Sequence, residues 1–230
     1  MSPSNLEILA YEESALGPLC LRRRELLSAP GTVVTEVTLN HEFLMSSYNT
    51  TSERALAGVA LEMHEGPELE VLIGGLGLGY TAHAALSSPR VARVEVVEFL
   101  PQVIEWLEHD LVPLSQELKA DGRFETVAGD IYLRLASPPR KTFDLILIDV
   151  DHAPDDQLND ENDFFYTEEG LRRAMGHLAP GGLLGVWSYA ENSPFAEALR
   201  AVFQEVRIVP VAFLNELVDE ESTDWLFFAR

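Results

Sequence analysis

Hydrophobic and polar positions change their rhythm once along this chain, near residue 50. Before it, Ile8–Tyr11, Leu19–Arg23, Val33–Leu39 and Glu42–Ser46 are short β-prone runs separated by Gly17-Pro18, Pro30-Gly31 and Asn40-His41. That spacing predicts two hairpins, a small N-terminal β region over residues 1–50. From Thr51 onward, apolar strands alternate with helical patterns, as in a mostly parallel sheet covered on both faces. Helices are predicted at Ser52–His64 (with Ser52 as its cap), Gly79–Ser87, Pro101–His109, Thr167–Leu178 and Pro194–Phe203. Strands are predicted at Glu70–Ile73, Val94–Glu98, Phe124–Ala128, Phe143–Asp149, Leu183–Ser188, Val206–Phe213 and Asp224–Ala229. Those seven strands and their helices make residues 51–230 a Rossmann-like α/β domain.

Two signals in this pattern carry chemistry. The strand Val71-Leu72-Ile73 runs into Gly74-Gly75-Leu76-Gly77-Leu78-Gly79 and then a helix. Glycines there let the backbone turn sharply and approach a ligand, while the helix start favours polar or anionic groups. Nineteen residues after Gly79 the next strand ends in Glu98, where a carboxylate can accept both hydroxyls of an adenosine ribose. A solvated strand-end acid is the alternative for Glu98. The buried run FDLILID ends in Asp149 at the carboxyl edge of the sheet, where open α/β folds bind ligands.

Composition narrows the classes. With 47% hydrophobic residues the chain reads as an ordinary globular protein. It has no apolar run of ~18 residues to span a membrane and no basic flank before an apolar stretch to mark a secretory signal. The single cysteine, Cys20, excludes an internal disulfide and a multi-cysteine zinc cage. The expected compartment is the cytoplasm. Sixteen basic against thirty-eight acidic residues give a net charge of −22, which opposes nucleic acid and anionic membranes as partners. Solubility is one reading of this charge; the other is attraction of a cationic small-molecule acceptor, to which the nine carboxylates of residues 149–169, with no Lys or Arg among them, point. The same stretch is long for a connection, and long loops are often lids. Asp149-Val150-Asp151-His152 lacks the spacing of a calcium loop, and no metal is expected.

The G-x-G-x-G spacing, Val-Val-Glu98, Gly129-Asp130, FDLILID149 and Leu178-Ala-Pro-Gly-Gly together resemble class I S-adenosylmethionine-dependent methyltransferases. Within that superfamily the chain is most similar to the spermidine synthase group, over roughly residues 30–230. The resemblance implies a seven-stranded, mostly parallel sheet with an N-terminal β-hairpin region. It implies that S-adenosylmethionine or its decarboxylated form is the donor substrate, held by Gly74, Gly75, Gly77, Gly79, Glu98, Asp130 and Asp149. Asp130 would abut the adenine. Asp149 would act on the attacking amine, with Asp151 and His152 in support. Glu53 matches an acidic position of the family's Tyr-His-Glu segment, although the preceding residue is Ser52. Tyr166 and Tyr189 are candidates to line the acceptor pocket, with aromatic packing as the alternative.

Two positions depart from the group. The glycine loop has Gly77 where members carry an Asp for the donor's amine, and His152 stands where members have a second Asp. Aminopropyl transfer and methyl transfer to an amine-bearing acceptor therefore both stay open. So do a methyltransferase unrelated to polyamines, a non-catalytic nucleoside-binding protein, and a homodimer.

Overall fold

The runs before Thr51 pair in the order in which they occur. Strands β1 (Leu6–Ser14), β2 (Gly17–Glu25), β3 (Val33–Leu39) and β4 (Glu42–Ser46) form one antiparallel meander. The two expected hairpins are thus joined through β2 and β3, with Leu19 opposite Leu39 and Arg22 opposite Glu36. Leu19, Leu21, Val37 and Leu39 are buried in the same apolar cluster as the sheet that follows. The structure, a computed structural model, describes residues 6–150, 153–156, 158, 160–215 and 220–230.

The α/β part is α1 (Thr51–Met63), β5 (Leu69–Gly74), α2 (Tyr80–Leu86), β6 (Val91–Glu98), α3 (Pro101–Glu108), α4 (Ser115–Ala120), β7 (Phe124–Ala128), α5 (Ile131–Ala136), β8 (Phe143–Ile148), α6 (Glu168–Met175), β9 (Leu178–Ser188), α7 (Ser193–Val202), β10 (Val206–Asn215) and β11 (Glu220–Ala229). The sheet order is β10-β11-β9-β8-β5-β6-β7. The strands from β7 to β9 are parallel, and β11 enters antiparallel to both β9 and β10. This is the expected class I methyltransferase fold. After the acids Glu70 and Asp144 near their starts, the central strands β5 and β8 read as apolar runs because both of their faces are buried.

Helices α4 and α5 are absent from the sequence-based expectation, since each spans only 6 residues and shows little helical period. Ser52 does not cap α1. Thr50 holds the N-cap position, and the Ser52 hydroxyl donates instead to Asp224. The acidic connection after β8 is not a structureless loop: Ala153 and Asp156 form a bridge, and Asp160–Tyr166 is a 3-10 helix.

Strand order reverses between β5 and β8, because the chain runs outward from β5 through β6 and β7 before returning to its other side. A crevice opens at such a switch point. There Asp149 donates its backbone N–H to the Gly74 carbonyl at 2.9 Å. Gly75 follows at φ +90°, and a Cβ on it would lie 2.2 Å from the Asp149 carbonyl oxygen. Only glycine satisfies both conditions. Gly75→Ala is expected to destabilise the protein by roughly 2–5 kcal/mol, combining backbone strain with overpacking. Chemical denaturation checks this, and a wild-type midpoint in the variant would contradict the geometry.

Candidate active site

Two adjoining cavities open at the switch point and share Leu44, Met45, Gly77, Asp149 and Val150. The first lies between the glycine loop and the ends of β6 and β7, lined by Gly75, Val97, Glu98, Phe99, Asp130 and Ile131. The Glu98 side chain accepts backbone N–H groups from Leu76 and Leu100, both at 2.8 Å. Glu98 is only 7% exposed. Burial raises its pKa, and the surrounding backbone N–H groups work against that rise. Glu98 therefore braces the glycine loop as well as edging the cavity. Asp130 takes both capping bonds of α5 on one oxygen, Oδ1, from Tyr132 at 2.8 Å and Leu133 at 3.1 Å. Its carboxylate is thereby fixed at the cavity wall.

The second cavity, about 540 Å³, is large enough for a small ligand. Four carboxylates line it: Glu36 on β3, and a cluster of three formed by Glu53 on α1, Asp149 after β8 and Asp224 on β11. Asp149 accepts the Thr81 hydroxyl at 2.6 Å. Asp224 accepts from the Ser52 hydroxyl and from the Trp187 indole N–H at 3.3 Å. Burial, and then the Asp149 charge, push the Glu53 pKa up to about 8, with Asp224 adding to the rise. Burial pushes Asp149 up to about 6; the Thr81 bond opposes this and the Asp224 charge adds to it. Burial also raises Asp224, against its bonds from Ser52 and Trp187. Desolvation and like-charge repulsion thus act together on one cluster. A cation entering the cavity would relieve both.

Of the residues singled out in the sequence, the structure brings Gly75, Gly77, Glu98, Asp130, Asp149 and Glu53 to these two cavities. Gly74 lies just behind, where a Cβ would meet Ile131 at 2.7 Å, and Gly79 caps α2 at φ +90°. Tyr166 sits apart from both cavities, its hydroxyl 3.0 Å from that of Tyr132 and its ring edge-on to Phe195. Tyr189 is exposed and donates to Asp156 at 3.1 Å. Asp151 and His152 lie outside the described residues. Among the described residues no group of three or more His, Cys, Asp or Glu could hold a metal, and no helix is long and apolar enough to cross a membrane.

Sequence reasoning missed Asp224, Ser52, Thr81 and Trp187 as parts of the site. The one available signal was Asp224 itself, an acid directly before the apolar run Trp225–Ala229. Its partners come from distant segments.

Glu53 and Asp149 bind protons more readily in the folded than in the unfolded chain. Their neutral forms favour folding at low pH, and that contribution is lost as pH rises through about 6 for Asp149 and about 8 for Glu53. Glu53→Gln should leave the melting temperature nearly unchanged near pH 5. Above pH 8 it should raise it, by roughly 2–4 °C for each kcal/mol of relieved repulsion in a chain of this size. Melting curves across this pH range check it. A variant less stable than wild type at high pH would mean that the Glu53 charge is compensated.

No family model matches the chain. Over 124 residues it is 35% identical to polyamine aminopropyltransferase 2 of Streptomyces coelicolor. That stretch is 53% of this chain and 22% of the relative, so the match spans about a fifth of the curated protein's length. Among solved structures, a spermidine synthase in complex with the transition-state analogue AdoDATO superposes with a TM-score of 0.76 at 20% identity, covering 96% of this chain and 73% of that one. The spermidine synthase of Thermotoga maritima gives 0.74 at 19% identity, over 96% and 71%.

Proposed function

We propose that this chain, a spermidine synthase-like member of the class I methyltransferase fold superfamily, is an enzyme that transfers an aminopropyl group from an adenosyl sulfonium donor to an amine. The observation that carries the reading is the convergence of Glu53, Asp149 and Asp224 on a cavity adjoining the one edged by Glu98 and Asp130. The sequence relative, named a polyamine aminopropyltransferase, supports the same choice. Fold alone would not, since one fold hosts many chemistries.

In this reading the first cavity takes the adenosine, with Glu98 toward the ribose hydroxyls and Asp130 toward the adenine amine. The sulfonium sits near Gly77 and Asp149, where the cavities meet. The acceptor enters the acidic cavity as an ammonium ion. It gives a proton to Asp149, whose pKa of about 6 lets it hold that proton better than an ordinary Asp. The freed nitrogen lone pair attacks the carbon next to sulfur. The C–N bond forms, the C–S bond breaks, and its electron pair stays on sulfur, leaving a neutral thioether nucleoside. Because the donor carries its own leaving group, the protein mainly has to align the two reactants and manage the proton. Glu53, with a pKa of about 8, is largely neutral at physiological pH. It can donate a hydrogen bond or relay the proton onward.

A second reading, methyl transfer from intact S-adenosylmethionine, is favoured by one observation. Gly77 brings no carboxylate to the donor's tail, and the space beyond its Cα is taken by the Met45 sulfur, 3.1 Å from where a Cβ would stand. Product analysis separates the two, as methylthioadenosine or as S-adenosylhomocysteine.

Asp149→Asn is the direct test. It should lower the single-turnover rate by about 10²–10⁴-fold while leaving methylthioadenosine affinity nearly unchanged, since it acts on the acceptor's proton. An unchanged rate would remove Asp149 from the mechanism.

Glu98→Ala should weaken methylthioadenosine binding by roughly 1.5–3 kcal/mol, through the lost ribose contact and a loosened glycine loop. Calorimetric titration with equal affinity for both proteins would overturn the ribose assignment.

A further inference from the structure

The cavity that holds the three carboxylates has a second, oppositely charged pole. Strand β2 carries Arg22, Arg23 and Arg24 in succession, and the strand's alternation splits them. Arg23 turns away and donates to the Leu111 carbonyl at 3.1 Å. Arg22 and Arg24 share the other face and both line the cavity. Between them lies Glu36, 2% exposed and directly opposite Arg22 across the β2–β3 ladder. Arg22 reaches it through Nε at 3.0 Å and Nη2 at 2.9 Å, and Arg24 through Nε at 2.7 Å. Two guanidinium groups against one carboxylate leave a net charge of +1. They also leave the Nη1 of Arg22 and both Nη groups of Arg24 without a protein acceptor among the described residues.

A guanidinium has five N–H donors in a planar fork that matches a carboxylate. Glu36 holds both forks by their inner edges, so their orientation is set before any ligand arrives. In a chain of net charge −22, a paired-arginine cluster on a cavity wall is unlike the rest of the surface. A simple diamine would find its cationic ends attracted at Asp149 and Asp224, with Glu53 as a hydrogen-bond partner beside them, and repelled at this pole.

We propose that Arg22 and Arg24 form a carboxylate subsite, so that the cavity receives an amino-acid-like zwitterion with its ammonium toward Glu53, Asp149 and Asp224. This rests on the sulfonium-donor reading above. Two sources could bring such a group: the α-carboxylate of intact S-adenosylmethionine, or a carboxylate on the acceptor amine. The first accompanies methyl transfer and the second aminopropyl transfer.

The test uses the full chain and two matched pairs of probes. In the donor arm, titration compares S-adenosylmethionine with its decarboxylated form. In the acceptor arm, run with methylthioadenosine bound, it compares diaminobutane with ornithine, the same diamine carrying an α-carboxylate. In one arm the carboxylate-bearing member should bind about tenfold to hundredfold more tightly, the range for charge-assisted bonds. Which arm shows it identifies the source. Arg24→Met should abolish that preference with methylthioadenosine affinity unchanged, and Arg24→Lys, which keeps the charge beside Glu36 but not the fork, should retain part of it. The wild-type arms stand even if Arg24→Met does not fold. Equal binding within both pairs, with methylthioadenosine bound normally, would overturn the carboxylate subsite alone. Failure of the wild type to bind methylthioadenosine would overturn the sulfonium-donor reading together with it.

Discussion

One backbone contact organises this molecule: the approach of Gly75 to the Asp149 carbonyl at the point where the sheet reverses its order. The two strand ends are tied by the bond from the Asp149 N–H to the Gly74 carbonyl. A Cβ at Gly75 would fall 2.2 Å from the Asp149 oxygen, so the glycine loop can turn only by lying flat against the end of β8. That turn positions Leu76 to donate to Glu98 and sends the chain into α2, which delivers the Thr81 hydroxyl to the Asp149 side chain. The wall of the cavity edged by Glu98 and Asp130 and the first carboxylate of the acidic one are therefore set by a single steric constraint.

The acidic cavity is held in tension against that frame. Burying carboxylates beside one another disfavours their charged forms, and here the cost is offset only in part, by Thr81, Ser52 and Trp187. Structural needs do not require three acids at this place. Their common effect is a site that favours an incoming cation and, at Asp149, binds a proton up to about pH 6. In the proposed reaction, affinity for an amine and basicity toward its proton would arise from the same desolvation.

The N-terminal meander contributes to this site. Its apolar residues Leu19, Leu21, Val37 and Leu39 share a cluster with the sheet, which brings β2 and β4 over the switch point. Met45 then occupies the space that Gly77 leaves open, and Arg22, Arg24 and Glu36 face the acids across one cavity. The meander thereby brings charge of the opposite sign to the cavity.

The sequence determined what local pattern can determine. Alternation marked the strands, the run Phe143–Asp149 marked β8 as central, and G-x-G-x-G before a helix marked the edge where the cavities open, with Glu98, Asp130 and Asp149 beside it. Helices as short as α4 and α5 left no readable period, and Ser52 read as a cap because its local context fits one. Tertiary structure decided the rest, because the remaining site depends on distances that no local pattern encodes. Asp224 lies 75 residues beyond Asp149 in sequence (224 − 149), and it joins the site only because β11 inserts beside β9. Arg22 to Arg24 reads as one basic run in sequence, and strand pleating divides it into two faces. Glu36 reads as one more acid in a strongly acidic chain. Pairing β2 with β3 buries it between two guanidinium groups, which bond both of its carboxylate oxygens.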